Sequence, residues 1–149
     1  MKNRVSIYDT RRVQRQKDKY YALHQADSCA FCDYTTNSDQ IIKLTDHFYV
    51  IRNKFPYDWF DLQGVKTHYL LIPKRHVVSF NELNNAERAE YMDIIGDYEA
   101  KGFTVFTRAS NNHVRSVAHL HTHLIKTDGK RRGTNIVLIL GKLGIRIVK

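Results

Sequence analysis

The sequence predicts an α+β domain, in which antiparallel strands form a sheet beside one long helix. Several short segments rich in Val, Ile, Tyr and Phe are separated by turn residues, which is typical of strands joined as hairpins. Residues 84–101 instead carry apolar side chains at helical spacing. Successive strands combined with a single long helix define this fold class.

The length and composition fit one folded domain. The chain has 149 residues and a mass of 17.5 kDa, enough to bury about two thirds of the surface of the unfolded chain. Hydrophobic residues make up 42% and charged residues 26%, which are ordinary values for globular proteins. We predict a single domain over residues 1–149, with a core at about 29–126, a basic N-terminal helix within 1–28 and a basic C-terminal hairpin at 127–149.

The sequence contains no predicted membrane or export segment. No apolar run approaches the roughly 18 residues that would indicate a membrane span. The chain starts with Met1-Lys2-Asn3-Arg4 and continues with polar residues instead of the apolar core of a signal peptide. We therefore expect a cytoplasmic protein without membrane contacts.

The net charge of +9 comes from the two ends of the chain. Residues 1–20 hold seven Lys/Arg against two Asp, and residues 126–149 hold seven against one. Such ends can attract polyphosphates or nucleic acid, but exposed Lys and Arg are equally common on a solvated face. Because the chain shows no RNA-recognition signature, a nucleic acid partner is not predicted.

The N-terminal part combines a predicted helix with a cysteine pair. Residues 11–25 contain good helix formers and only a thin apolar stripe, which predicts a surface helix. Cys29 and Cys32 follow as a C-x-x-C pair. By itself this pair is half of a zinc site, a redox dithiol or two small core residues. The loop composition of residues 33–39 disfavours the redox interpretation, which requires a helix there.

Most of the remaining segments are predicted strands. Residues 40–44 and 47–52 form a hairpin around Thr45-Asp46. Residues 57–64 are rich in aromatic rings, which fill the edge of a core or line a pocket for a planar base, core filling being the commoner outcome. Further strands are predicted at 67–73, which Pro73 ends, at 103–108, and at 135–140 and 145–148, the last two as a second hairpin.

Residues 84–101 are the strongest helix candidate. Asn84 or Asn85 can cap the N terminus, Glu87 adds negative charge to the first turn, and Gly102 suits a left-handed turn at the C terminus. The predicted buried stripe of this helix consists of Tyr91, Met92, Ile95 and Tyr98.

Three histidines at every second position, His119, His121 and His123, stand out in the C-terminal half. Their alternation with other residues predicts a strand at 116–125, whose period of two places the three imidazoles on one face, neighbours being about 7 Å apart. A lone strand histidine is usually a hydrogen-bonded, half-buried side chain. Three on one face would repel one another when protonated, so the spacing favours a functional site.

The order His-Leu-His-Thr-His-Leu-Ile at 119–125 resembles the signature of the histidine triad (HIT) superfamily, which comprises nucleotide hydrolases and transferases. Residues 68–77, with the pattern His-x-Leu-x-Ile-Pro-Lys-Arg-His-Val, are similar to the segment that precedes the long helix of that family. The two motifs occur in the family's order, and the resemblance covers about residues 29–126. It implies a HIT-like fold with an antiparallel sheet of about five strands, one long helix and a shorter N-terminal helix.

The resemblance also implies a metal site. In zinc-containing branches of the family, the C-x-x-C pair is completed by the histidine of the Pro-Lys-Arg-His segment and by the first histidine of the triad. The corresponding residues here are Cys29, Cys32, His76 and His119. A Cys₂His₂ set suits a closed zinc site that stabilises the fold and takes no part in catalysis.

Catalytic roles follow from the same resemblance. His121 has the position of the nucleophile that attacks an α-phosphorus and forms a nucleotidyl-histidine intermediate. His123 corresponds to the group that binds phosphate charge and protonates the leaving group, and Ser116 to a hydroxyl at the phosphate. The implied substrate-binding residues are Asn53 near the sugar, His68 near the phosphate, and Arg115 where the family usually has a glutamine.

The resulting hypothesis is a hydrolase that cleaves dinucleoside polyphosphates, nucleoside phosphoramidates or related nucleotide conjugates at the α-phosphate. One alternative is a nucleotidyl transferase or phosphorylase that uses the same histidine. Another is a zinc-stabilised nucleotide- or RNA-binding module without turnover. Family members are often dimers, so a homodimer is one candidate assembly, although the sequence shows no self-complementary surface.

The sequence departs from the family pattern at three places. Val114-Arg115 replaces the usual Gly-Gln, the connection at 56–68 is longer than usual, and Lys126-Thr127 replaces the common Pro-Arg after the triad. These departures bear on the choice of substrate more than on the type of reaction.

Overall fold

The structure, a computed structural model, describes residues 9–10, 29–35, 37–112, 115–131, 135–140 and 143–148. At 9–10, 131, 135–140 and 143–148 only the backbone is described. The predicted N-terminal helix at 11–25 lies outside the described residues. Within the described ranges, no helix is long and apolar enough to cross a membrane.

The described chain consists of an antiparallel sheet and one long helix, which confirms the predicted α+β class. The helix α1 spans Asn85–Ala100, and a short 3₁₀ turn at Phe80–Glu82 precedes it. In chain order the strands are β1 (Asp9–Thr10), β2 (Ile41–Leu44), β3 (Phe48–Arg52), β4 (Trp59–Phe60), β5 (Gln63–Pro73), β6 (Thr104–Thr107), β7 (Thr122–Arg131), β8 (Asn135–Leu140) and β9 (Leu143–Val148).

The strands β1 to β7 form one antiparallel sheet. Its main part has the order β6, β7, β5, β3, β2. The two-residue strand β4 pairs with the first residues of β5, and β1 pairs with β4. The central pair β5 and β7 places Leu70 opposite His123 and His68 opposite Ile125. On the other side of β7, Phe106 of β6 lies opposite His123. The triad region is therefore flanked by β5 on one side and β6 on the other.

Both faces of the sheet are covered, so β3 is buried along most of its length. On one face, helix α1 and the residues around it complete a core cluster of Phe48, Val50, Leu71, Val77, Leu83, Ile94, Tyr98, Leu120 and Leu124. Because side chains alternate along a strand, the neighbouring residues point to the other face. There Phe31, Tyr34 and Ile41 pack against a second cluster, formed by Tyr49, Ile51, Leu70 and Ile72.

Helix α1 begins with the predicted cap. The Asn84 side chain accepts a hydrogen bond from the Glu87 backbone N–H at 2.9 Å, and the Glu87 carboxylate accepts one from the Asn84 N–H at 2.8 Å, a capping box. The predicted buried stripe is wrong at Met92, which is 61% exposed, while Ile94 is buried. Helical geometry explains the difference, because Ile94 is four residues before Tyr98 whereas Met92 lies off that face.

The predicted strand at 116–125 is also wrong at its start, since β7 begins at Thr122. The Arg115 side chain binds the carbonyls of Val117 and Ala118, and the Leu120 N–H donates to Val77 O at 2.6 Å. These bonds replace the sheet ladder before the strand. β7 then continues to Arg131, beyond the predicted end. The predicted C-terminal hairpin is confirmed, since β8 and β9 pair as a separate two-stranded sheet.

Candidate active site and metal centre

The four predicted metal ligands lie together. Cys29 and Cys32 come from the turn before β2, His76 follows β5, and His119 precedes β7. Their ligand atoms all lie within 4.8 Å of one another. The Sγ to Nδ1 distances are 3.5 Å for Cys29 to His119, 3.2 Å for Cys32 to His76 and 3.6 Å for Cys32 to His119.

These distances fit a tetrahedral ion. Zinc bonds of about 2.3 Å to sulfur and 2.0 Å to nitrogen put neighbouring ligand atoms roughly 3.6 Å apart. His119 Nε2 lies 3.0 Å from the carbonyl of Pro73. Because a carbonyl only accepts, Nε2 carries the proton and Nδ1 keeps its lone pair for a metal, the arrangement usual for metal-binding histidines. The cluster therefore has the geometry and chemistry of a Cys₂His₂ site.

Desolvation shifts the pKa of two of the four cluster residues. Burial, together with the neighbouring Cys29, raises the pKa of the Cys32 thiol to about 11. Burial also lowers the pKa of His119 to about 4, which keeps its imidazole neutral near pH 7.

His121 is held in one tautomer. It is 5% exposed, and its Nδ1 lies 2.9 Å from the carbonyl of His119. Since the carbonyl only accepts, Nδ1 carries the proton and the lone pair of the neutral ring lies on Nε2. Burial lowers the pKa of His121 to about 4, so the ring is neutral near pH 7. A neutral imidazole with a free Nε2 lone pair is a nucleophile.

His123 is held in the opposite tautomer by a chain of hydrogen bonds. The backbone N–H of Tyr57 donates to His68 Nδ1 at 3.0 Å, so the neutral His68 ring carries its proton on Nε2. His68 Nε2 lies 2.8 Å from His123 Nδ1 and donates to it. The proton of His123 therefore lies on Nε2, where it can be given to a substrate. The Asn53 amide nitrogen lies 3.1 Å from His68 Nε2, and because both nitrogens carry protons in this arrangement, the contact is not a hydrogen bond.

Aromatic rings surround His123. The ring of Phe106 stacks on it with centroids 4.5 Å apart, and the ring of Tyr57 stacks at 5.6 Å. Tyr57 and Phe60 belong to the aromatic connection that was predicted to fill a core edge or line a pocket. In the structure Tyr57 is buried against the histidines, Phe60 stacks on Phe106, and Trp59 is 36% exposed. The connection thus forms a wall behind the triad.

A cleft of about 410 Å³ opens in front of His121 and His123. Its apolar wall is formed by Phe31, Tyr34, Ile51, Phe55 and Leu70, and its polar lining includes Asp33, Asp39, Gln40, Asn53 and Ser116. A wall of aromatic and aliphatic side chains with a few polar groups suits a small planar ligand. Phe31, between the two cysteines, also contacts the rings of His119 and His121 at centroid distances of 6.0 and 5.3 Å.

The predicted site residues separate into three groups. Ser116, His121, His123 and Asn53 line the cleft together. His68 lies behind His123, and the four metal ligands form their own cluster. Arg115 is not among the cleft-lining residues, and its guanidinium donates to the carbonyls of Val78 at 2.8 Å, Val117 at 3.2 Å and Ala118 at 2.6 Å.

Sequence reasoning missed the roles of Phe31, Tyr57 and Phe106. Phe31 was visible only as a residue of the C-x-x-C segment, and Phe106 only as part of a strand. The aromatic connection gave a signal for Tyr57, but only the pairing of β5 with β4 and β7 brings that connection to the histidines. Contacts across the sheet cannot be deduced from local patterns.

Comparisons with known proteins agree with this fold. Residues 34–130 match the family model of the HIT domain. The chain is 24% identical over 124 residues to protein hit of Bacillus subtilis, covering 77% of this chain and 81% of that protein. Among solved structures, a HIT family hydrolase from Clostridium thermocellum aligns with a TM-score of 0.52 and 22% identity over 70% of this chain and 96% of its own.

A diadenosine triphosphate hydrolase from Plasmodium falciparum has the same fold, with a TM-score of 0.51 and 14% identity, covering 78% of this chain and 85% of its own. The HIT domain match extends over more than half of the chain and includes β2 to β6 and nearly all of β7. This protein therefore belongs to the HIT domain family.

Proposed function

We propose that the protein is a nucleotide hydrolase that cleaves its substrate at the α-phosphate through a covalent intermediate on His121. The observation that carries the proposal is the pair of opposite tautomers in one cleft. His121 presents a lone pair on Nε2, while the proton of His123 lies on Nε2. A nucleophile requires the free lone pair, and a general acid requires the proton.

In the first step Nε2 of His121 attacks the α-phosphorus, and the bond from phosphorus to the leaving group breaks. The leaving group departs with the bonding electron pair and takes the proton of His123 where it needs one. In the second step water attacks the nucleotidyl-histidine and the phosphorus–nitrogen bond breaks, its electron pair returning to His121 Nε2. The water gives up one proton, to His123 Nε2 where the leaving group took the proton of His123, and to solvent where it did not. His121 and His123 are then in their starting states, and a nucleoside monophosphate is released.

The cleft supports a nucleoside as the bound part of the substrate. A planar base fits the apolar wall that Phe31, Tyr34 and Phe55 help to form, and Asn53 and Ser116 offer polar groups between that wall and the histidines. The relatives named as hydrolases, one of them a diadenosine triphosphate hydrolase, agree with this class of reaction.

We further propose that the ion of the Cys₂His₂ cluster is zinc, which would be held by Cys29, Cys32, His76 and His119. With four protein ligands, a tetrahedral ion has no open position for substrate, so it would stabilise the fold. Its contribution to the reaction would be indirect, because His119 also supplies the carbonyl that orients His121.

The decisive test is the turnover of a dinucleoside polyphosphate and of a nucleoside phosphoramidate by the wild type and by His121→Ala. We expect the variant to lose at least about 10³-fold in kcat while its thermal unfolding stays close to that of the wild type. A folded variant with full turnover would contradict the proposal. Adding inorganic phosphate identifies the final acceptor, because a phosphorylase would give a nucleoside diphosphate.

A further inference from the structure

Arg108 lies beside the triad, directly after a strand that the cleft does not reach. It directly follows β6, where Phe106 is opposite His123 and Thr107 is opposite Thr122. Continuing this antiparallel register puts Arg108 next to His121. Phe106 and Arg108 are two residues apart, as are His123 and His121, so the four side chains share one face of the sheet.

The order of the strands puts the nucleoside and the leaving group of a bound substrate on opposite sides of the reacting phosphorus. The cleft in front of the triad is lined by Ile51 and Asn53 on the β3 side and by Leu70 of β5. The histidines lie on or just before β7, and β6 is on the far side of β7 from β5. A substrate with its nucleoside over β3 and β5 and its α-phosphorus at His121 therefore extends its leaving group over the end of β6.

The guanidinium of Arg108 is held at that place by two rings. Its Nη2 donates to the Tyr57 hydroxyl at 3.3 Å, and its Cζ lies 5.5 Å from the ring centroid of Phe106. Both rings stack on His123. The register and these two contacts therefore place the Arg108 side chain beside the triad.

Resting on the proposed function, we propose that Arg108 binds the leaving group, and that the preferred leaving group is a phosphate or polyphosphate chain. When the bond from the α-phosphorus to the bridging oxygen breaks, the electron pair goes to that oxygen and negative charge collects on the departing phosphate. A guanidinium matches phosphate oxygens in charge and in geometry. An amine leaving group, by contrast, depends on the proton from His123 and carries no charge that Arg108 could bind.

The test compares two substrates with the same nucleoside, a dinucleoside tetraphosphate and a phosphoramidate with an uncharged amine. The quantity measured is the ratio of kcat/KM for the two substrates in the wild type, Arg108→Met and Arg108→Lys. We expect Arg108→Met to lower the ratio about 10- to 100-fold, the loss typical of removing a hydrogen bond to a charged group, and Arg108→Lys to restore part of it. Arg88→Met, which removes an exposed arginine from helix α1, is the matched control and should keep the ratio of the wild type.

The outcomes are distinct from those of the proposed function. An equal loss on both substrates would overturn the inference, because Arg108 would then act on the common part of the substrate or on the fold. So would an unchanged ratio in Arg108→Met, or a wild type that turns over only the phosphoramidate, although each of these results would leave the nucleotide hydrolase intact. If the wild type turns over neither substrate, the proposed function fails and the role of Arg108 fails with it. Thermal unfolding of each variant shows whether a loss reflects misfolding.

Discussion

His121 and His123 carry their protons on different ring nitrogens, and a backbone group decides each case. The carbonyl of His119 accepts from His121 Nδ1, and the N–H of Tyr57 acts on His123 through His68. A residue two positions away in the same motif therefore sets the tautomer of His121, whereas a residue from the aromatic connection sets the tautomer of His123. The spacing of the triad shows neither bond.

The relay through His68 gives a prediction for kcat. We expect His68→Ala to lower kcat about 10²-fold with a smaller change in KM, because His123 loses the donor that keeps its proton on Nε2. Steady-state kinetics on one nucleotide substrate measures both constants. His47→Ala is the control, since His47 pairs with Glu90 away from the cleft. An unchanged kcat in a folded His68→Ala protein would refute the relay.

At the scale of the element, helix α1 is anchored by one side of its surface and by its first turn. Ile94 and Tyr98 are buried against the sheet, and Glu87 joins the cap to Arg75, the residue before the predicted metal ligand His76. The helix thus supports the segment that carries one ligand of the cluster.

The two aliphatic positions of α1 differ in burial, which predicts a difference in stability. The substitution Ile94→Ala should lower the unfolding free energy of the protein by about 2–5 kcal/mol, because Ile94 is 2% exposed and the change leaves a cavity in the core. Met92, 61% exposed, should change by no more than about 0.5 kcal/mol on the same substitution. Urea denaturation followed by circular dichroism measures both. Equal losses would mean that the burial of this helix is wrongly assigned.

The ion pair at the start of α1 predicts a dependence of stability on pH. Hydrogen bonds from Arg75 lower the pKa of Glu87 to about 2, from an ordinary value of 4.5. A lowered pKa in the folded state means that the ionised Glu87 stabilises the protein above about pH 4.5 and that this contribution is lost as the pH falls towards 2. The difference in unfolding free energy between the wild type and Glu87→Gln should therefore shrink from pH 7 to pH 3.

Denaturant unfolding at several pH values measures this difference. Glu99→Gln controls for the loss of one carboxylate, since Glu99 is exposed on the same helix. A difference between wild type and Glu87→Gln that grows on acidification would contradict the assigned ion pair.

At the scale of the whole molecule, the metal cluster and the cleft share structural parts. Phe31 lies between the two cysteine ligands, forms part of the cleft wall and contacts the rings of His119 and His121. Loss of the ion would therefore disturb both the fold and the nucleotide site. Residues 1–149 as a single domain, the cytoplasmic location and the homodimer stay predictions from the sequence.

The contact between the metal cluster and the cleft predicts the effect of removing the metal. Elemental analysis of wild type prepared without chelator should find about one zinc per chain, and His76→Ala should lose it and unfold at a lower temperature. His76 is exposed, so its truncation leaves no core cavity to account for the loss. His47→Ala should keep the metal. A metal-free wild type, or His76→Ala with full zinc content, would refute the site.

The sequence by itself determined the elements and the chemical types of the site. The capping residues of α1, most of the strands and the terminal hairpin are local patterns, so their bounds were predicted within a few residues, whereas the triad strand begins and ends six residues later than predicted. The resemblance to the family gave the four cluster residues, although Cys29 and His119 are 90 residues apart in sequence.

Only the tertiary structure decided how those residues act. The tautomers of His121 and His123 depend on main-chain groups. The wall behind His123 is formed by Tyr57 and Phe106, and the position of Arg108 depends on the pairing of β6 with β7. Arg115 illustrates the same limit, because its side chain binds three carbonyls around the triad segment and does not line the cleft. Each of these contacts joins segments that are distant in sequence or depends on where a backbone carbonyl points, and a one-dimensional pattern carries neither kind of information.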